Sequence, residues 1–156
     1  MRNQKTEENI QIRVPNYIRV NFPEVQFHSD FGSGVRLTVN QARRQKAVNG
    51  GRRGWPDVFI AKPSTRFDWN ATPFWHPGEY APADRHGLFI ELKKEKTRLK
   101  KRNGEWADEH FEEQNSVLEA LRSVGFCAEF AVGYDEAVAL IDAYMKEDVS
   151  TDSSPF

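Results

Sequence analysis

The sequence has few residues that could cross-link the chain or hold a zinc ion. It contains one cysteine, Cys127, and four histidines scattered along its 156 residues. Zinc ligands in proteins usually occur at short, regular spacings, which these histidines do not show. An internal disulfide and a cysteine-rich zinc site are therefore excluded.

Long hydrophobic runs are also missing. Hydrophobic residues make up 38% of the chain and its mean hydropathy is -0.71. No stretch approaches the roughly 20 apolar residues of a membrane span, and the first residues lack the apolar stretch of a secretion signal. We expect a cytoplasmic protein without membrane contact, with one domain at residues 1–146 and a flexible polar tail at 147–156.

A formal net charge of -1 conceals an uneven distribution of charge. Residues 1–104 carry 20 Lys and Arg against 10 Asp and Glu, whereas residues 105–156 carry 2 against 13. The first part contains two dense basic clusters, which are Arg43, Arg44, Lys46, Arg52 and Arg53, and then Lys93, Lys94, Lys96, Arg98, Lys100, Lys101 and Arg102. Either cluster alone is typical of a solvated loop, but both flank the same pair of predicted strands and so favour an anionic polymer as the ligand.

These two strands, at residues 55–60 and 88–93, are short apolar runs that carry unexpected charges. Side chains on a strand alternate between its faces, so Asp57 lies opposite to the apolar face of the first strand, and Glu91 and Lys93 share one face of the second. If the strands pair, two carboxylates and an ammonium converge. Buried carboxylates repel each other and lose hydration, so a bound cation is the expected remedy. The pattern predicts a metal site with a lysine beside it.

A structural interpretation of the same charges remains open. An acidic and a basic residue two apart are often an exposed pair on an edge strand, and Asp after Pro is common in turns. Each charge taken singly favours this interpretation, whereas the three together favour a site.

Apolar periodicity predicts the other elements. We expect a first helix from Thr6, its N-cap, to about Asn21, with a kink or break at Pro15. The remaining predicted elements are strands at 24–28 and 34–39, a basic, glycine-rich connection at 41–54 that could approach a phosphate, a helix at 105–124, a strand at 126–132 and a helix at 135–144. This order predicts an α/β fold.

A long insert at residues 62–87 separates the two charged strands, and it contains four prolines and five aromatic residues. Such a composition indicates an ordered excursion rather than a loose linker. Packing over its own domain is the favoured role, with stacking on bases or a dimer contact as alternatives.

The predicted helix at 105–124 carries one polar residue, Gln114, on its apolar face. A buried amide must form hydrogen bonds with backbone groups or with groups in a site. Gly125 follows the helix, where a C-terminal glycine cap is expected.

In combination, these motifs resemble the PD-(D/E)XK nuclease superfamily and, more narrowly, the stand-alone VRR-NUC domain of phage and bacterial proteins. The resemblance covers roughly residues 7–145. It depends on Gly-Trp-Pro-Asp at 54–57, Glu-Leu-Lys at 91–93, Glu-Asn-Ile-Gln at 8–11 and Glu-Gln at 113–114. It implies a central mixed β-sheet flanked by helices, of restriction-endonuclease type.

The resemblance also implies roles for individual residues. Asp57 and Glu91 would bind a divalent metal, Lys93 would be the catalytic lysine, and Gln114 would be the polar residue near it. Glu8 would complete the acidic site from the first helix. Because Pro15 interrupts that helix soon after, Glu7 is the alternative for this position.

The implied activity is Mg²⁺-dependent hydrolysis of DNA phosphodiester bonds, with Mn²⁺ as a substitute, by a homodimer acting on branched or junction DNA. The expected DNA-binding residues are Arg43, Arg44, Lys46, Arg52, Arg53, Lys94, Lys96, Arg98, Lys100 and Lys101. Two other functions remain open. One is a nucleic-acid-binding module without catalysis, and the other is an RNA nuclease, although metal-free enzymes of that kind use histidine-led sites that the scattered histidines do not suggest.

Overall fold

The sheet and its helices are seen in a computed structural model that describes residues 4–30, 38–48, 50, 54–63 and 85–145, with the backbone alone for residues 4–8. Four strands and four helices lie within these residues. In chain order they are α1 (Gln4–Asn21), β1 (Phe27–Ser29), α2 (Val39–Val48), β2 (Val58–Ile60), β3 (Leu88–Lys93), α3 (Glu109–Ser123), β4 (Cys127–Val132) and α4 (Tyr134–Met145).

The four strands form one mixed sheet in the order β1-β2-β3-β4. The pairs β1/β2 and β2/β3 are antiparallel, and β3 and β4 run parallel, joined by α3 as the crossover helix. Val58 pairs with Ile90, which places the start of β2 beside the middle of β3, and the residues before Val58 beside its last residues. The expected pairing of the two charged strands is confirmed, and so is the expected mixed sheet with helices around it.

Each face of the sheet is covered by a separate apolar cluster. The larger cluster joins β2, β3 and β4 to α1 and α4 and includes Ile18, Ile90 and Ile141, all fully buried. The smaller cluster packs Phe89 of β3 against Leu118 of α3. Strand β3 is buried along its whole length. Because side chains on a strand alternate between its faces, the odd-numbered ones face α3 and the even-numbered ones face α1 and α4.

Helix α1 differs from its prediction at two points. It begins at Gln4, so Thr6 lies inside the helix and is not its N-cap. It also continues through Pro15, so the break, one of the two outcomes expected there, is absent, while the kink stays a prediction. A proline inside a helix costs about 3 kcal/mol, and burial of the neighbouring Val14 and of Ile18 in the core offsets that cost.

Helix α2 replaces most of the expected glycine-rich connection at 41–54, and that prediction is wrong. It also includes Val39, which had been assigned to a strand at 34–39; residues 34–37 of that strand lie outside the described part. Thr38 and Gln41 start the helix with a capping box. The Thr38 hydroxyl accepts a hydrogen bond from Gln41 N (3.3 Å), and the Gln41 side chain accepts one from Thr38 N (2.9 Å).

Helix α3 is shorter than predicted. It begins at Glu109 rather than at residue 105, because Asp108 is its N-cap and accepts a hydrogen bond from His110 N at 2.8 Å. Its end agrees with the prediction, since Gly125 follows with a φ of 95°. Residues 100 and 106, on either side of the predicted start, pair instead as an antiparallel bridge.

The remaining predictions have mixed outcomes. Strands β1 and β4 and helix α4 lie within a few residues of their predicted positions. Strand β2 is shorter than expected, because it begins at Val58 rather than at residue 55. Residues 64–84 of the long insert, residue 146 and the predicted tail at 147–156 lie outside the described residues, and the domain boundary at 146 stays a prediction. None of the described helices is long and apolar enough to cross a membrane.

Candidate active site at the end of strand β3

Strand β3 carries two charged residues into the interior. Glu91 is 3% exposed and Lys93 is 8% exposed. The alternation of the strand places both on the face that Phe89 shares with α3, as predicted. Burial of two ionised groups is costly unless they are paired, so their shared position requires a direct contact.

That contact is centred on one oxygen of the Glu91 carboxylate. Lys93 Nζ lies 2.8 Å from Glu91 Oε1 and donates a hydrogen bond to it. The side-chain amide of Gln114, on α3, donates a second hydrogen bond to the same oxygen. The amide is 5% exposed. The polar residue expected on the apolar face of this helix therefore interacts with the charged pair of β3.

Aromatic rings surround the Lys93 ammonium. Its Nζ lies 5.4 Å from the centre of the Phe111 ring and 6.0 Å from that of Phe130. An ammonium within about 6 Å of a ring face is attracted by the quadrupole of the ring. The rings of Phe111 and Phe130 therefore lie beside the ammonium that donates to Glu91.

Asp57 lies just before β2 and is 9% exposed. Its Oδ2 accepts a hydrogen bond from Leu92 N, at 2.8 Å, between the two charged residues of β3. Its backbone carbonyl accepts another from Asp30 N, also at 2.8 Å, beyond the end of β1. Continuing the β2/β3 register by one residue from Val58 places Asp57 opposite Glu91. The structure therefore brings Asp57 to the end of β3 where Glu91 and Lys93 lie.

Gly54 packs closely against Gln114 of α3, beside the site. Its φ is 81°, and a Cβ added there would lie 3.3 Å from Gln114 Cα. Such a distance is tighter than most Cβ contacts, so a side chain at this position would press on the backbone that holds the Gln114 amide. Sequence reasoning had linked Gly54 to a phosphate, whereas its described contact is with α3.

The donor set fits a hard divalent cation such as Mg²⁺. Asp57 and Glu91 supply buried carboxylate oxygens, and the buried Gln114 Oε1 forms no hydrogen bond with any described residue. Mg²⁺ is usually bound by one or two carboxylates, with waters and substrate phosphates completing its shell. Among the side chains that are described, no cluster of three or more His, Cys, Asp and Glu could hold a metal. The third predicted acid, Glu8, lies on α1, and its side chain, like that of Glu7, is outside the described residues.

The last part of the second basic cluster lies in a hairpin at residues 99–107. Lys100 pairs with Trp106, and hydrogen bonds of 2.8 Å join Lys101 N to Glu105 O and Ala107 N to Leu99 O. The Lys100 ammonium lies 4.1 Å from the centre of the Trp106 ring, and that ring lies 5.9 Å from Phe130. Because Phe130 also contacts Lys93, the hairpin is attached beside the site.

The other predicted DNA-binding residues are distributed differently. Lys94 is half-buried after β3, and Lys96 and Arg98 are exposed between β3 and the hairpin that carries Lys100 and Lys101. The first cluster contributes Arg43, Arg44 and Lys46, all exposed on α2, which buries none of its residues. Arg52 and Arg53 lie outside the described residues.

Sequence reasoning missed several neighbours of the site. Phe111 and Phe130 were assigned to a helix and a strand, but no pattern indicated that both rings would face Lys93. The pairing of Lys100 with Trp106 could have been suspected, since turn-forming Asn103 and Gly104 lie between them.

The sheet and its helices form a restriction-endonuclease-like fold. One solved structure with this fold is described as a VRR_NUC domain protein. The similarity covers 90% of this chain and 88% of that chain, with a TM-score of 0.51 and 22% sequence identity. No protein-family model and no curated protein sequence matches the chain. At this identity the likeness establishes the fold, which agrees with the sequence resemblance, and the roles of individual residues stay predictions.

Proposed function

We propose that the chain is a metal-dependent nuclease that hydrolyses DNA phosphodiester bonds. The observation that carries the proposal is the buried group in which Lys93 and Gln114 both donate to Glu91 while Asp57 is fixed to the backbone of the same strand. A protein that only binds DNA has no need to bury an ion pair and a second carboxylate at the end of a strand, because such burial costs stability. The fold shared with a VRR_NUC domain protein supports the same conclusion.

Asp57 and Glu91 are the residues that would hold Mg²⁺ or Mn²⁺, with Glu8 as the third acid contributed by α1. A bound divalent ion polarises the phosphodiester and lowers the pKa of a coordinated water. Gln114 fixes the orientation of the Glu91 carboxylate through its amide hydrogen bond. This restraint matters because ligands that are already oriented need not reorganise during the reaction.

Lys93 would act on the attacking water. Its ammonium has three hydrogens, and Glu91 accepts one of them at 2.8 Å. The other hydrogens can orient a water and offset the negative charge that develops on the phosphorane. The rings of Phe111 and Phe130 limit solvent around the ammonium, which strengthens its interaction with that charge.

The basic hairpin and the basic helix α2 supply positive charge for the DNA backbone. Lysine and arginine contacts with phosphates release condensed counterions and provide most of the sequence-independent affinity. We propose branched or junction DNA as the substrate and a homodimer as the active form, as the family resemblance implies.

The proposal is tested by incubating the purified protein with labelled linear, flap and four-way-junction DNA in Mg²⁺, Mn²⁺ or EDTA. We expect cleavage with either metal, fastest on a branched substrate, and none in EDTA. Cleavage that persists in EDTA would contradict the metal site. Binding without cleavage of any substrate would favour the alternative of a non-catalytic DNA-binding module, and cleavage of RNA alone would favour the RNA nuclease.

A further inference from the structure

Trp55 is a large aromatic residue that remains exposed beside the candidate active site. It is 63% exposed, two residues before Asp57. Its ring lies 5.4 Å from that of Phe89 at an interplanar angle of 81°. Phe89 in turn lies two residues before Glu91 on β3. The indole is therefore attached to the strand that carries the charged pair while most of it faces solvent.

The backbone on both sides of Trp55 is restrained. Gly54 adopts a φ of 81° and lies against Gln114, and Pro56 is buried with its φ fixed by the ring. Asp57 accepts hydrogen bonds of 2.8 Å from Leu92 N, through its side chain, and from Asp30 N, through its backbone carbonyl. A residue whose backbone is restrained in this way needs little backbone ordering when a ligand binds to its side chain.

The position of Trp55 limits what its ring can contact. Consecutive Cα atoms are about 3.8 Å apart, so Trp55 lies within roughly 8 Å of Asp57 along the backbone. A DNA strand whose phosphate reaches Asp57 would bring an adjacent nucleotide to the indole. Bases in a duplex are stacked on both faces, whereas an unpaired base has a free face for an aromatic side chain.

We propose that Trp55 is a stacking platform for an unpaired nucleobase next to the scissile phosphate, and that it makes the enzyme select DNA with single-stranded character. The inference rests on the proposed function, because the stacked base would belong to the DNA strand that the proposed nuclease cleaves. Stacking of one base on an aromatic ring changes affinity by about tenfold or more. Trp55 would thus supply selectivity for strand structure, while the lysines and arginines of the hairpin supply affinity that does not depend on it.

The test measures DNA binding in EDTA, so that it does not depend on cleavage. Wild type, Trp55→Ala and Trp55→Phe are titrated with a flap DNA and with a duplex of equal length. We expect Trp55→Ala to weaken binding to the flap about tenfold and to the duplex less than about twofold, and Trp55→Phe to retain most of the flap affinity. Val124→Ala is the matched control and should bind both DNAs like wild type. Val124 is similarly exposed (62%), and its neighbour Gly125 accepts a hydrogen bond from His86 N before the start of β3, away from Glu91 and Lys93.

A second arm removes the base instead of the ring. A series of flap DNAs is prepared in which a single abasic residue occupies successive positions of the unpaired strand near the branch. At one position the abasic residue should lower the affinity of wild type to that of Trp55→Ala, and it should not change the affinity of Trp55→Ala. Equal losses on flap and duplex, full flap affinity in Trp55→Ala, or no DNA binding by wild type would each overturn the inference. Trp55-dependent flap binding without cleavage in metal would support stacking while contradicting the nuclease.

Discussion

The side-chain amide of Gln114, on α3, donates a hydrogen bond to the Glu91 carboxylate, on β3. The same carboxylate oxygen accepts a hydrogen bond from Lys93. One helix thus fixes the acid that its neighbouring strand supplies, and the geometry of the candidate site depends on how α3 packs against the sheet.

The buried pair of Glu91 and Lys93 should reduce the stability of the protein relative to an apolar replacement. Glu91→Leu alone leaves the Lys93 ammonium buried without its carboxylate, and we expect a loss of about 3 to 5 kcal/mol. The triple variant Glu91→Leu/Lys93→Met/Gln114→Leu removes both charges together with the amide that donates to Glu91, and it should be as stable as wild type or more stable by up to about 4 kcal/mol. Chemical denaturation measures both values.

The control for this comparison is the exposed pair of Lys101 and Glu105, whose charged atoms lie 3.5 Å apart. Glu105→Gln should change the free energy of unfolding by no more than about 1 kcal/mol. A Glu91→Leu variant as stable as this control would show that the pair is not buried as described.

The contact between Gly54 and Gln114 predicts an effect beyond backbone strain. Gly54→Ala must accept a positive φ and also place a Cβ 3.3 Å from Gln114 Cα. Gly104→Ala has a similar φ of 87° but meets nothing within 4 Å, so it reports the strain alone, on the order of 1 to 2 kcal/mol. We expect Gly54→Ala to be the less stable of the two in thermal or chemical unfolding, and equal stabilities would contradict the contact.

Cys127 is a probe of the central sheet because it is the single cysteine of the chain. Burial in β4 raises the pKa of its thiol well above the ordinary value, and the thiolate is the reactive form. Iodoacetamide at pH 8 should therefore label the native protein far more slowly than the protein in denaturant, as followed by mass spectrometry. Rapid labelling of the native protein would contradict the position of β4 between the helices.

The raised pKa also gives a direction for the pH dependence of stability. The folded state holds the thiol proton more tightly than the unfolded state, whose pKa is about 9.0. The stability that depends on the neutral thiol is thus complete below pH 9 and falls as pH rises above it. Cys127→Ala should lose this part of the alkaline decline.

The exposed basic residues between β3 and the hairpin should contribute to DNA affinity through counterion release. Replacing Lys96 and Arg98 together with Gln should lower the slope of log affinity against log salt by about 2, with similar losses on duplex and branched DNA. Arg19→Gln, at an exposed position on α1 outside both basic clusters, is the control and should leave the slope unchanged. An unaltered slope in the variant with both residues replaced would exclude phosphate contacts by Lys96 and Arg98.

Much of the sheet could be predicted from local sequence. Side chains alternate clearly between the two faces of β3 and β4, and the charged residues of β3 all lie on one of these faces. The inward position of Gln114 was also predictable, since the apolar spacing of α3 includes it. These elements lie where single-strand or single-helix periodicity determines burial.

The failures have local physical causes. Helix α2 was not predicted because the glycines that follow it favoured a loop. The capping box of Thr38 and Gln41, which marks the start of the helix, was not recognised. Strand β2 is short because the Asp57 side chain, rather than a longer backbone ladder, accepts the hydrogen bond of Leu92 N. The rings around Lys93 come from α3 and β4, and their convergence depends on tertiary packing that no local pattern contains.

The most direct test is the single-turnover rate of cleavage of the preferred DNA by wild type, Asp57→Asn and Asp135→Asn in saturating Mg²⁺. Asn at 57 keeps an oxygen that can accept the Leu92 hydrogen bond but removes the charge, whereas Asp135 is an exposed acid at the start of α4. We expect Asp57→Asn to remain folded and to cleave at least about a hundredfold more slowly, a loss of the size seen when one electrostatic contact to the transition state is removed, while Asp135→Asn cleaves at the wild-type rate. Cleavage by Asp57→Asn at the wild-type rate would contradict a metal-dependent active site at the end of β3.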